Sequence, residues 1–342
     1  MVIHNKQNNK TNLGIQFLRF LLCFWIVVSH CSYIKPKHKK YIHKGFHVPT
    51  FMFIAFYFYY PILSKRIISK IVSRFQRLLV PYLFWPILKI IFRNLSLKNF
   101  INGIISFIKE ISSKKLFLQV LIGTPIHGIF WFQFNLLFLS LFITIVSFLF
   151  KRQFIIILQF IGFLSLYLHT SQIDYYFFIS FKKEISSNIA SLIELIPNAI
   201  VGFSLSHINF LSMIKNTPKY FLLILTSFVV MFFKYDIFTE LNGFRYKDVY
   251  QNIIVSIILF TLFGSIDLNK SKSISLLINH LSRFTGGIYC IHLLIKIFWI
   301  NNFELFSDRN YFFSVFIYII SYLICFVGYK LCKNLNLKYL FI

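Results

Sequence analysis

Apolar and polar positions in this chain come in long blocks rather than in the short alternation of a half-buried strand. Apolar runs cover Gly14 to Tyr33, Phe46 to Leu63, Leu78 to Phe92, Gly128 to the Lys151-Arg152 pair, Phe154 to His169, Ile189 to His207, Tyr220 to Phe233, Ile253 to Ile266, Leu276 to Ile300 and Phe312 to Leu331. Polar or basic breaks separate them. A helix needs about 20 mostly apolar residues to cross the hydrocarbon layer, and about ten such runs fit here. The pattern predicts an all-α, polytopic transmembrane helical bundle of about ten spans, with residues 1–342 forming one integral membrane domain.

The breaks carry their own signals. In SKRIISKIVSRFQR (Ser64 to Arg77), Lys65, Arg66, Lys70, Arg74 and Arg77 recur at helical spacings, the pattern of an amphipathic helix lying on a membrane surface. Pro81 then falls in the first turn of the following span, where its missing N–H does little harm. Asn94 to Thr124 is a longer polar connection with room for an interfacial helix around Phe100 to Ile111. Gly286-Gly287 is a candidate break within the run that starts at Leu276. Lys6 and Lys10 precede the first run as in a signal peptide, but no small-residue cleavage site follows, so a retained first span is expected.

Composition sharpens this reading. Hydrophobic residues make up 57% of the 342 and charged residues 13%, with mean hydropathy +0.70, far from the balance of a soluble domain. The net charge of +26 would suit nucleic acid, but the bases lie mostly in short loops between apolar runs. Lipid headgroups are therefore the expected partner and nucleic acid is not. Lys and Arg counted over alternate loops come out nearly equal, so the positive-inside rule does not orient the chain. Cys23, Cys31, Cys290, Cys325 and Cys332 are scattered and contain no CxxC pair, which speaks against a disulfide or metal framework.

Candidate chemistry begins in the first run, GIQFLRFLLCFWIVVSHCSY, where Arg19 and His30 interrupt apolar sequence. Eleven residues at about 100° each return to within roughly 20° of the starting direction, and the rise separates the pair by about 16 Å. One helix face therefore carries both. An ionisable group inside a span is costly enough to suggest an inward-facing functional role, although snorkelling from the two helix ends fits the same positions.

Arg74 and Arg77 stand at i and i+3, so two guanidinium forks share a helical face, an arrangement suited to phosphates such as those of coenzyme A. Anionic lipid would suit it too. His292, in GGIYCIHLLIKIFWI, lies too deep in its span to snorkel easily. A neutral imidazole there can act as a general base, or hydrogen-bond between helices. Glu194 is the one carboxylate that looks embedded, placed either to steer a histidine or to pair with a lysine at the span's end. His38, His43 and His47 approximate metal-ligand spacing without an acidic or cysteine partner, so no metal is expected.

Taken in order, these segments resemble the acyltransferase-3 family of multi-pass membrane acyltransferases, which includes O-acetylases of cell-surface sugars. The resemblance runs from Leu18 to His292 and rests on LRFLLCFWIVVSH, HVPTFMFIAFYF, RFQRLLVPYLFW, IFWFQFNLLF, the Gly202 region and LSRFTGGIYCIHLLI. It implies activity-linked roles for Arg19, His30, Arg74 and Arg77, and matches His292 to the late histidine of the penultimate span. Ala55-Phe56 departs from the Ser-Gly of many members, which bears on helix packing and on the acceptor.

The implied function is transfer of an acyl group, acetyl or another, from acyl-CoA as donor substrate to a hydroxyl of a cell-surface or lipid-linked sugar or polysaccharide. The protein would sit as a multi-pass chain in the bacterial cytoplasmic membrane. In this scheme Arg74 and Arg77 hold the donor phosphates on the cytoplasmic side. His30 deprotonates the acceptor or briefly carries the acyl group, near His292, and Arg19 positions the donor or balances charge. A flippase or exporter of lipid-linked oligosaccharide would use the same residues to line a path.

Overall fold

A computed structural model describes residues 12–31, 46–94, 130–170, 183–215, 246–268, 271–302 and 311–342, and every regular element among them is helical. The helices are α1 (Leu13–Cys31), α2 (His47–Tyr57), α3 (Tyr60–Ser64), α4 (Ile68–Asn94), α5 (Phe130–Phe150), α6 (Phe154–Thr170), α7 (Lys183–His207), α8 (Phe210–Lys215), α9 (Tyr246–Ser265), α10 (Lys272–Arg283), α11 (Thr285–Asn302) and α12 (Tyr311–Leu331). A short 3-10 helix, Asn336–Leu340, follows.

Among the described residues three helices are long and apolar enough to cross a membrane: Leu13–Cys31, Trp131–Phe150 and Tyr311–Leu331. A fourth span results if α10 and α11, bent by 53° at Phe284, count together. The expected interruption is thus real, but it falls two residues before Gly286-Gly287. Large apolar side chains face outward, Phe163 at 74% and Phe312 at 81% exposure, as lipid-facing positions require.

Two expectations need correcting. The basic segment is not a separate surface helix. From Ile68 on it is continuous with the next apolar run in the 27-residue α4, with Lys65 and Arg66 in the turn before it, so Pro81 lies inside that helix and not in its first turn. The run Phe46 to Leu63 is not one helix but two, α2 and α3, parted by a turn at Phe58-Tyr59. The basic loop Lys35 to Lys44, the interfacial helix around Phe100 to Ile111 and the run Tyr220 to Phe233 lie outside the described residues.

α1 is the central post, in contact with α2, α9, α10, α11 and α12. Asn12 fixes its start: its Oδ1 accepts from the Ile15 N–H at 3.0 Å and its Nδ2 donates to the Gly264 carbonyl at 2.9 Å. That single cap satisfies an orphan donor of α1 and ties it to the end of α9. The two backbones then meet at Gly14, where an added Cβ would fall 1.7 Å from the Phe263 carbonyl oxygen. Gly202 on α7 does the same against α2, with the Phe53 carbonyl oxygen 2.3 Å from such a Cβ. In lipid, where apolar burial between helices drives little, this close backbone packing supplies the association.

Helix directions follow from the paired residues. Trp25, in the second half of α1, meets Phe46 just before α2, their centroids 6.1 Å apart. Ile15 and Leu18, near the start of α1, join one core cluster with Ile54 and Tyr57 near the end of α2. The two helices are therefore antiparallel. α4 and α5 are antiparallel as well, since Arg66 lies over the Phe148 ring, Arg74 bonds Ser140, and Tyr82 meets Phe134.

Candidate active site

The site begins with the register of α1 against α11. At one end Arg19 Nη2 donates to Thr285 Oγ1 at 3.3 Å, and at the other Lys296 Nζ donates to the His30 carbonyl. Both pairs are separated by 266 residues, so the helices run parallel and stay in step for three turns. Between them Cys23 Sγ lies 3.4 Å from the Thr285 carbonyl oxygen. The face of α1 that carries Arg19 and His30 is the one turned toward α11, as their spacing predicts.

This register brings the two histidines together. Their ring centroids are 5.6 Å apart with the planes tilted 34°. His30, near the end of α1, is half-buried, whereas His292 is 0% exposed. His292 Nδ1 sits 3.1 Å from the Ile288 carbonyl oxygen, one helical turn earlier. A carbonyl only accepts, so Nδ1 carries the proton and the neutral ring keeps its bare lone pair on Nε2. That Nε2 is enclosed and has no hydrogen-bond partner.

The arginines gather at the other end. Arg19 Nη1 donates to Gln16 Oε1 at 3.0 Å, and its charge lies within electrostatic range of Arg77. Arg74 lies within range of both. Arg77 is exposed, with Nε donating to the Ser73 carbonyl at 3.3 Å. Arg74 is held more closely: Nε donates to Ser140 Oγ at 3.2 Å, Nη1 donates to the Ala55 carbonyl at 3.4 Å, and Nη2 is enclosed without a partner. Among the described residues none of the three meets a carboxylate, so three guanidinium groups converge with charge unspent. Such a cluster is suited to a polyanion.

α5 connects the two ends. Gln133 and Ser140 are seven residues apart, hence within roughly 20° of one face and about 10 Å along the axis. Ser140 bonds Arg74, while Gln133 Nε2 donates to the Cys290 sulfur at 2.9 Å, two residues before His292. Gln133 Oε1 is enclosed and unpartnered. One stripe of α5 therefore links the level of Arg74 to the neighbourhood of the histidines.

Several of these residues escaped the sequence reading. Lys296 lies four residues after His292, one turn along the same face, and that spacing was available as a signal. Gln133 stands in a quoted motif but is uncharged. The Ala55-Phe56 departure proves to lie against Arg74, through the Ala55 carbonyl and a Phe56 ring 5.4 Å from the guanidinium carbon. The departure therefore lies at the arginine end of the site. Glu194 lies half-buried on α7, whose main neighbours are α2 and α6. His47 is buried at the start of α2, and His38 and His43 lie outside the described residues. All five cysteines are free.

Arg19 and the His30–His292 pair thus stand at opposite ends of one helix–helix seam, with Arg74 and Arg77 within electrostatic range of Arg19. Residues 12–330 match the family described as an acyltransferase domain, acyltransferase-3, and the chain belongs to that family. It is a membrane acyltransferase. No curated protein and no solved structure matches the chain.

Proposed function

We propose that this protein transfers an acyl group, acetyl in the simplest case, from acyl-CoA to a hydroxyl of a cell-surface or lipid-linked sugar in the bacterial cytoplasmic membrane. The observation that carries this reading is the α1–α11 seam, with Arg19 at one end and the His30–His292 pair at the other. Arg74, Arg77 and Arg19 hold the phosphates of the donor by charge-assisted hydrogen bonds. The thioester arm extends along the α5 stripe from Ser140 toward Gln133 and Cys290, whose open acceptor suits the amide groups of a pantetheine arm.

At the histidine end an imidazole takes the proton of the acceptor hydroxyl as its oxygen attacks the thioester carbonyl carbon. The carbon–sulfur bond breaks, the ester forms, and the proton passes to the departing thiolate, so the reaction needs no oxidant or reductant. His30 is the residue assigned to the acceptor, as base or as transient acyl carrier. His292, with its bare Nε2, stands beside it. Proton transfer by a positioned base contributes about 10²–10⁴-fold, and orientation between the two ends supplies much of the rest.

The test is transfer itself. Purified protein in lipid nanodiscs, given acyl-labelled acetyl-CoA and a polysaccharide or lipid-linked sugar acceptor, moves label to the acceptor under this reading. Translocation of the lipid-linked sugar without label transfer would replace it with the exporter reading.

A further inference from the structure

We propose that Tyr59, Ser140 and Thr144 form a cage that presets Arg74 for a phosphate group, which makes Tyr59 a positioning residue at the donor end. This rests on the donor-binding role given above to the arginine cluster.

The cage closes on itself. The Tyr59 ring lies 4.1 Å from the Arg74 guanidinium carbon, near enough for a cation–π contact, and its hydroxyl lies 2.6 Å from Thr144 Oγ1. Thr144 Oγ1 donates to the Ser140 carbonyl at 2.6 Å. Its proton is thereby committed, so the Tyr59 hydroxyl must be the donor between the two. Ser140 in turn accepts from Arg74 Nε through Oγ. One tyrosine thus holds the guanidinium by its ring face and, through its hydroxyl and the α5 turn, fixes the serine that orients the same group.

What remains open is informative. Ser140 takes Nε and the Ala55 carbonyl takes one N–H of Nη1, while Phe56 stands on the guanidinium at 5.4 Å and meets Tyr59 edge-on at 6.1 Å. Nη2, with two N–H donors, has no partner although it is enclosed. An arginine serving only to bind α2, α4 and α5 together would spend those donors on the protein, since unpaired buried donors are costly. Two further guanidinium groups lie within electrostatic range, and among the described residues no carboxylate offsets them. The ligand chemistry that fits is a phosphate or diphosphate ester, and aromatic walls set the fork's direction before it arrives.

The experiment measures equilibrium binding of CoA and of pantetheine, which lacks the nucleotide phosphates, to the full protein in nanodiscs. Tyr59→Leu weakens CoA binding by about tenfold through loss of the ring contact. Tyr59→Phe and Ser140→Ala, milder changes that keep the fold if Tyr59→Leu does not, weaken it about fivefold. Pantetheine binding stays at the wild-type value in the two Tyr59 variants. With acyl-CoA as substrate, KM rises in the same order and kcat holds. Tyr59→Leu added to Arg74→Gln costs nothing beyond Arg74→Gln alone.

Unchanged CoA affinity in folded Tyr59→Phe and Ser140→Ala overturns the proposal. So does an equal loss for pantetheine in the Tyr59 variants, which would mark a merely structural role. Wild-type protein that binds CoA but transfers no acyl group defeats the acyl-transfer reading while the binding series still decides the cage. Wild-type protein that binds no CoA defeats both.

Discussion

His292→Asn separates catalysis from architecture at the buried end of the seam. The asparagine amide nitrogen can take the place of Nδ1 and keep the bond to the Ile288 carbonyl, while the Nε2 lone pair disappears. The deleted atoms include an enclosed nitrogen without a partner, so their loss relieves one desolvation cost and leaves a small void. The two effects oppose each other, and the net stability change should stay within about 1 kcal/mol. If the second imidazole shares in proton transfer, kcat falls by about 10²–10⁴-fold, equivalent to about 2.7–5.5 kcal/mol of barrier. Donor KM should not move, because the arginine cluster is untouched. Single-turnover transfer of labelled acyl groups, read beside a melting curve of the same preparation, gives both numbers. A folded His292→Asn protein with kcat within about threefold of wild type would show that Nε2 takes no part.

Three further outcomes follow from the same geometry. Arg77→Gln removes the exposed guanidinium of the cluster and should raise KM for acyl-CoA about 10- to 100-fold with kcat unchanged, as charge-assisted bonds to phosphate predict; steady-state kinetics with varied donor checks it. Lys296→Met deletes the donor to the His30 carbonyl, frees the end of α1 and should lower kcat about tenfold at unchanged donor KM, in the same assay. Gly14→Val drives a side chain into the Phe263 carbonyl, 1.7 Å from the Cβ position, and should abolish the monodisperse peak in size-exclusion chromatography of the detergent-solubilised protein.

The parts legible in the sequence were those with an unambiguous period or cost. Arg19 and His30 announced their shared face because eleven residues nearly complete three turns and because charge inside a span is expensive. The helical stretches at Phe130–Phe150 and Tyr311–Leu331 were legible from apolar length alone. The join between the basic segment and α4 was not. A separate surface helix and the basic first turns of a longer helix have the same periodicity, and only the unbroken course of α4 distinguishes them. The break in the second run left one readable sign, Pro61 in the first turn of α3, which apolar length alone overlooks. Nor does periodicity reveal the pairing of α1 with α11, since the two are far apart in the chain. Their register is set by side chains such as Thr285 and Lys296, whose importance appears only when the helices lie side by side.

His30→Ala tests the histidine pair most directly. In nanodiscs supplied with labelled acetyl-CoA and acceptor, His30→Ala should bind CoA as wild type does and transfer no label. Transfer at the wild-type rate by that variant would contradict the assignment of the chemistry to the histidine pair.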